Sequence, residues 1–182
     1  KYGVKVLKNG KNVGKGYSVK RGIFAAKGDV ILFTDADLST PIEFLKDFMN
    51  EHASGFDVVI ASRALNRSII KVRQPLPREL SGKVFNLLVR LITRLPLNDT
   101  QCGFKSFKKD AAKKIFSNLT INGFGFDVEA LYIAKKHNFK IIEYPVYWYN
   151  SNATKVNFFK DSMRMFFELF KIRLNDLKGL YK

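Results

Sequence analysis

Apolar positions change rhythm repeatedly along the chain, from short unbroken runs to residues spaced three and four apart. Val30-Ile31-Leu32-Phe33 is an unbroken run of the kind a strand buried on both faces carries, and predicts a strand within 29–34. The same reading predicts strands over 56–61 and 104–107, and a short one over 4–7 ending at Asn9-Gly10. A further strand over 140–149 is interrupted by Pro145, which places it near a sheet edge.

Helical spacing fills the gaps between these runs. A glycine-bearing loop, Asn12-Val13-Gly14-Lys15-Gly16, leads into a helix over about 17–26, closed by Lys27-Gly28. Thr40-Pro41 opens another helix to about residue 53, with Pro near the first helical position. Leu80, Val84, Leu87, Leu88, Leu91 and Ile92 give a helix over 79–95, and helices follow over 109–116 and 127–137. A last helix over 157–177 is rich in Phe and carries Lys160, Arg164, Lys171 and Arg173, with Lys178 just beyond it. Residues 64–77 show no apolar period and hold Arg67, Lys71, Arg73 and two prolines, which predicts a loop. The alternation of strands and helices predicts an α/β fold with a mostly parallel sheet.

Composition narrows the class. At 182 residues the chain suits one domain with a real core. Cys102 is the single cysteine, so an internal disulfide and a multi-cysteine metal site are excluded and a reducing compartment is favoured. No apolar run is long enough to cross a bilayer as a helix, the first residues do not read as a signal peptide, and the chain begins without Met, as a fragment would. The excess of 32 basic over 16 acidic residues, a net charge of +16, attracts polyanions: nucleic acid, anionic headgroups or phosphorylated substrates. A Lys-rich solvated surface is the plainer account of many of these charges. A nucleic-acid module would cluster its cations with stacking aromatics or a helix-turn-helix, and here they are scattered, so nucleic acid is set aside as a partner.

Chemistry concentrates in three places. Asp35-Ala36-Asp37 follows the strand over 30–33 directly, where open α/β sheets bind ligands, and two carboxylates there can hold Mg²⁺ or Mn²⁺ on a diphosphate. A solvated acidic turn has the same spelling. Gly14, Lys15 and Gly16 permit close backbone approach and precede a helix N-terminus that attracts phosphate, but they do not match the Walker pattern. Asp99-Thr100-Gln101-Cys102-Gly103-Phe104-Lys105 and Gly123-Phe124-Gly125-Phe126-Asp127-Val128-Glu129 set polar groups among aromatic ones; each alone reads as a turn and a helix cap. His52 and His137 lie on predicted helices away from these motifs and read as structural or surface residues.

In this order, with Ser62-Arg63 and Pro145-Val146-x-Trp148, the motifs resemble family 2 of the inverting glycosyltransferases. Within it they look most like the dolichyl-phosphate glucosyltransferases, with the mannose synthases second. Ser39, where mannose synthases often carry Gln, favours the glucosyl branch, and no Gln-x-x-Arg-Trp motif of polymer-making relatives occurs. The resemblance implies a GT-A, Rossmann-like nucleotide-diphospho-sugar transferase fold. The family's N-terminal βαβ unit is absent, so that residues 1–156 form a partial catalytic domain and residues 157–182 an amphipathic basic helix suited to a membrane surface. It implies transfer of a hexose from a nucleotide sugar, UDP-glucose before GDP-mannose, to dolichyl or polyprenyl phosphate on the cytosolic face of a membrane, or else a catalytically incomplete fragment of such an enzyme.

The implied roles are these. Asp35 and Asp37 hold Mg²⁺ or Mn²⁺ and, with Gly14, Lys15, Gly16, Asp99 and Gln101, the nucleotide sugar; Asp127 and Glu129 orient the sugar or hold a helix start. Arg63, Arg78, Ser81, Lys105 and Lys155 meet the acceptor phosphate, and Arg67, Lys71 and Arg73 form a lid or a solvated loop.

Overall fold

The computed structural model describes residues 3–65, 70–72, 76–149 and 158–182, with backbone alone at 70–72, 76–79 and 158–160. Four strands form the main sheet: β1 (Val30–Thr34), β2 (Val58–Ser62), β4 (Phe104–Lys108) and β5 (Ile141–Pro145), in the order β1-β4-β2-β5. β4 runs antiparallel to both β1 and β2, while β2 and β5 pair in parallel. Three of the four strands therefore point one way and β4 alone is reversed, so the sheet is mixed. β3 (Ile70–Val72) and β6 (Trp148–Tyr149) make a separate two-stranded parallel pair, a strand within the segment expected to be loop. Residues 4–7 form no strand: Val4 is 79% exposed, and without a partner an extended segment has no ladder to join.

The helices follow the predicted order: α1 (Lys15–Ala25), α2 (Leu45–Ala53), α3 (Leu76–Thr93), α4 (Lys109–Asn118), α5 (Phe126–Lys136) and α6 (Phe158–Leu177). A 3₁₀ turn over Ile42–Phe44 sits between Pro41 and α2.

β2 explains why its sequence shows no alternation. Val58 and Ile60 point into a core with Phe107, Ile115 and Leu131, whereas Val59 and Ala61 point into a second core with Phe48, Phe104 and Val146. Both sheet faces are covered, so both sets of side chains must be apolar. His52 is buried at that second face. Its Nδ1–H donates to the Phe56 carbonyl at 2.9 Å, which leaves Nε2 to accept the Ser106 hydroxyl at 2.7 Å. Burial holds its pKa below the usual histidine value, ahead of the Phe56 carbonyl and the charges of Lys108 and Asp57. It is a structural residue, as its helical position predicted.

α3 carries its apolar residues on two sides. Val89 is fully buried and Phe85, Leu88 and Ile92 pack on the main core, while Leu80, Val84, Leu87 and Leu91 face outward.

Candidate active site at the strand ends

Because β4 is reversed between β1 and β2, the loop leading into it lies at the same sheet edge as the carboxyl ends of those two strands. Thr34 pairs with Phe104, so Asp35 and Gly103 meet just beyond the ladder, and the Asp35 N–H donates to the Gly103 carbonyl at 2.8 Å. A Cβ at Gly103 would stand 1.8 Å from Asp35 Oδ2, so only glycine lets this carboxylate take its place. Arg63 follows β2 at the same edge, and Asp127 reaches in from the first turn of α5.

Three ion pairs converge there. Lys15 Nζ lies 2.6 Å from Asp35 Oδ1. The Arg63 guanidinium forks onto Asp99, Nε to Oδ2 at 2.6 Å and Nη2 to Oδ1 at 2.9 Å, and its backbone N–H adds a third bond at 3.0 Å. Lys105 Nζ donates to Asp127 Oδ1 at 2.7 Å and to the Cys102 carbonyl at 2.6 Å. Burial alone would lower the Lys15 pKa, but Asp127 and Asp35 outweigh it and raise it. Likewise burial would raise the Asp99 pKa, and the Arg63 pair pulls it down; the same pair pushes the Arg63 pKa up against its own burial.

Asp37 differs from its neighbours. It is exposed, and its Oδ1 accepts the Ser39 N–H at 3.0 Å, fixing the turn that Leu38 enters at φ 51°. No cation pairs with it among the described residues.

Several expected site residues take other parts. Gly14 and Gly16 do allow a close approach, but of the protein's own backbone: a Cβ at Gly14 would lie 2.2 Å from the Asn122 carbonyl oxygen, and one at Gly16 2.6 Å from that of Ile121. Lys15 and Gly16 belong to the first turn of α1 rather than to a loop before it. Glu129, expected to orient the sugar or to hold a helix start, sits in the structure as a structural node. It is fully buried, and its two oxygens accept the N–H groups of Thr120 and Ile121 and the hydroxyls of Thr120 and Tyr181. Lys105 is corrected from an acceptor-phosphate contact, because an ammonium with 0% exposure cannot meet an acceptor at the surface. Gln101 is half-buried, its amide 3.8 Å from Met165 Sδ. Ser81 lies on α3; the Arg78 side chain, Lys155, Arg67 and Arg73 fall outside the described residues, and Lys71 is described only as backbone of β3.

Sequence reasoning missed two carboxylates. Glu143 on β5 accepts the N–H groups of Asn98 and Asp99 at 2.8 Å each, which presents Asp99 to Arg63. Glu168 on α6 accepts the Gly125 N–H at 2.9 Å and so caps α5. Neither stands in a motif; only tertiary contact reveals them.

Asp35 and Asp37 thus follow β1 at the edge of a sheet covered on both faces. The fold is that of the GT-A glycosyltransferases: a solved glucosyl-3-phosphoglycerate synthase from Mycobacterium tuberculosis, crystallised with Mn²⁺, UDP and glucosyl-3-phosphoglycerate, superposes with a TM-score of 0.59 at 17% identity, over 94% of this chain and 56% of that one. A second mycobacterial crystal structure gives 0.61 at 15% identity, over 95% of this chain and 53% of that one. The chain belongs to glycosyl transferase family 2, whose profile matches residues 1–116. It is 34% identical over 184 residues to the dolichyl-phosphate beta-glucosyltransferase of Dictyostelium discoideum, covering 98% of this chain and 56% of that protein. The enzymes of the same name from Homo sapiens and Saccharomyces cerevisiae are 35% and 32% identical, over 100% and 98% of this chain and 59% and 57% of theirs. The chain thus spans somewhat more than half the length of these curated relatives.

Proposed function

We propose that this chain carries the acid and acceptor side of a glucosyltransferase that moves glucose from UDP-glucose to a dolichyl or polyprenyl phosphate. The open carboxylate of Asp37 at the carboxyl end of β1, beside a neutralised Asp35, is the observation that carries this reading. The relatives named above supply the class of acceptor and the sugar.

The residues suit a divalent metal that arrives with its diphosphate. Among the described residues no group of three or more His, Cys, Asp or Glu could hold an ion alone, and Lys15 already engages Asp35. Asp37 with Asp35 would hold Mg²⁺ or Mn²⁺, the phosphate oxygens completing its shell, and the bound ion would supply Lewis acidity to the leaving nucleoside diphosphate. Lys15, paired with Asp35, would meet donor phosphate on exchanging partners.

A phosphomonoester is ionised near neutral pH, its second pKa lying near ~6. The acceptor oxygen can therefore attack the anomeric carbon without a general base. One bond forms between that carbon and the acceptor oxygen as the bond to the diphosphate breaks, and the configuration inverts. Both histidines lie outside the cluster, which accords with a step that moves no proton. Asp99, paired with Arg63, and Asp127, paired with Lys105, are buried and would shape the site through those partners rather than touch sugar hydroxyls. Arg63 keeps two guanidinium nitrogens on Asp99 and lies 5.3 Å from the Trp148 ring; with Arg78, Ser81 and Lys155 it forms the proposed acceptor-phosphate set. The work place is the cytosolic face of a membrane, the endoplasmic reticulum in a eukaryote or the plasma membrane in a prokaryote.

The test uses labelled UDP-glucose and GDP-mannose in parallel, with a short-chain polyprenyl phosphate and Mn²⁺. Organic-extractable label from UDP-glucose alone, abolished by Asp37→Ala, is the expected result. Label that survives Asp37→Ala, or none from either donor despite measurable binding of Mn²⁺-UDP by calorimetry, would overturn it.

A further inference from the structure

β5 reads Ile141-Ile142-Glu143-Tyr144-Pro145, and a half-buried carboxylate in so apolar a strand needs partners. By strand alternation Glu143 shares the face of Ile141, which packs on the main core, while Ile142 and Tyr144 pack on the second. It stands opposite Ile60 in the parallel ladder, so β2 carries the chain from there to Arg63 at the site. Its carboxylate turns to the loop between α3 and β4. Oε2 accepts the Asn98 N–H at 2.8 Å and the Asn98 side-chain amide at 2.9 Å, and Oε1 accepts the Asp99 N–H at 2.8 Å. From α3, the Asn86 amide donates to the Asn98 carbonyl at 2.6 Å. Asn98 and Asp99 belong to no ladder, so a side chain supplies the acceptors that a neighbouring strand would otherwise give.

Asp99 is thereby fixed at its backbone, and its carboxylate fixes Arg63 in turn. Beyond the fork and the Arg63 N–H, Asp99 Oδ1 accepts the Gln101 N–H at 3.2 Å. The Arg63 guanidinium carbon lies 5.3 Å from the centre of the Trp148 ring, within cation–π reach. Held between a carboxylate and a ring, this guanidinium keeps little rotamer freedom. Less ordering entropy is then lost when it meets a phosphate.

We infer that Glu143 is a positioning residue for the acceptor phosphate: through the backbone of residues 98–99 and the Asp99 carboxylate it sets the Arg63 fork against Trp148. It touches no substrate itself. This deepens the acceptor reading above and rests on it for the phosphate, whereas the placement of Arg63 rests on the contacts alone. The same strand pair carries a comparable bond at its other end, where Asp57 Oδ2 accepts the Lys140 N–H at 2.9 Å. That bond ties the strands together far from Arg63, so removing it separates a loss of stability from a loss of placement.

Trp148 is the single tryptophan of the chain, so its fluorescence reports the cation beside it. Arg63→Met should shift the emission, Glu143→Gln should shift it in the same direction, and Asp57→Asn should leave it in place. Asn98→Ala removes one of the three bonds to Glu143 and should give a smaller shift of the same sign, a milder variant if Glu143→Gln does not fold by circular dichroism. Calorimetry with farnesyl phosphate, a short polyprenyl phosphate, should show affinity falling at least ~10-fold in Glu143→Gln, the scale of one hydrogen bond to a charged group. Affinity for Mn²⁺-UDP should hold in that variant. Glu143→Gln with Arg63→Met should bind farnesyl phosphate no more weakly than Arg63→Met alone, since both act through one side chain. Emission unmoved by Glu143→Gln, or by Arg63→Met, would overturn the placement. Additive losses in the double variant, an equal loss of Mn²⁺-UDP affinity, or the same losses in Asp57→Asn would overturn the positioning role. A wild type without affinity for farnesyl phosphate would overturn the acceptor reading and with it the phosphate role of Glu143, while the emission still decides whether Glu143 places Arg63.

Discussion

Two parts of this molecule hold carboxylates among aromatic side chains, and they differ in how fully those carboxylates are used. Around Glu129, each oxygen accepts two hydrogen bonds, from Thr120, Ile121 and the hydroxyl of Tyr181. Burial and the Glu129 charge push the Tyr181 hydroxyl pKa well up, so that it stays a donor. At the strand ends, Asp99 and Asp127 are likewise held, but Asp37 offers its carboxylate to solvent with a single backbone bond. A closed network of this kind stabilises and specifies packing; an open carboxylate beside paired cations is left for a ligand. Motif spelling alone does not separate Glu129 from Asp37, since each ends a string that resembles the family's.

The comparison can be broken most forcefully at the Lys105–Asp127 pair. Lys105→Met leaves Asp127 buried without its cation and should cost about 3–5 kcal/mol in urea unfolding. Adding Asp127→Leu should recover much of that loss, because both charges are then gone. An unchanged midpoint in the single variant would show that the pair is not closed.

Asp37→Ala should behave in the opposite way. It should lower lipid-extractable label at least ~100-fold, a loss of about 3 kcal/mol in the transition state, while unfolding shifts by no more than about 0.5 kcal/mol. Substantial loss of stability in this variant would place Asp37 with the structural carboxylates.

Glu129→Gln turns one acceptor oxygen into a donor facing N–H and O–H donors. It should destabilise by about 1–3 kcal/mol in the same unfolding experiment. Activity per folded molecule should stay near its starting value; a selective fall in activity at unchanged stability would return Glu129 to the sugar site.

The smallest effect expected is a pH dependence at His52. Its folded pKa lies below the unfolded value of about 6.5, so the unfolded chain binds more protons in the window beneath that value. Stability is fully present above it and falls as pH drops toward the folded pKa. His137, lowered by burial and then by Lys114 and Lys136, adds in the same direction. Melting temperature should fall between about pH 7.5 and about pH 5.5, and His52→Gln should flatten that slope. The Asp99 pair acts in a lower window, since its depressed pKa supports stability above the ordinary Asp value and loses it only in acid.

Much of the fold is legible in the sequence. The unbroken run at 30–33 and the one ending at Ala61 became β1 and β2, because a strand covered on both faces has no polar face to show. Asp35-Ala36-Asp37 fell at a strand end as expected, and Pro145 did mark an edge strand. Residues 4–7 carried the same apolar signal and formed no strand, since a strand needs a neighbour that local sequence cannot supply.

What the sequence determined by itself was the local and periodic part: which segments coil or extend, where glycine must stand, and which string of motifs the family reads. Chain pattern carries these because each depends on residues close in sequence. Tertiary structure alone decided that β4 runs against its neighbours, that Gly103 must lack a side chain for Asp35, and that Lys105 and Glu129 are sealed inside while Asp37 is open. It alone turned the Leu80–Leu91 stripe outward. Burial and partnership are settled by residues far apart in the chain, and no local spacing encodes which distant surface will cover a given face.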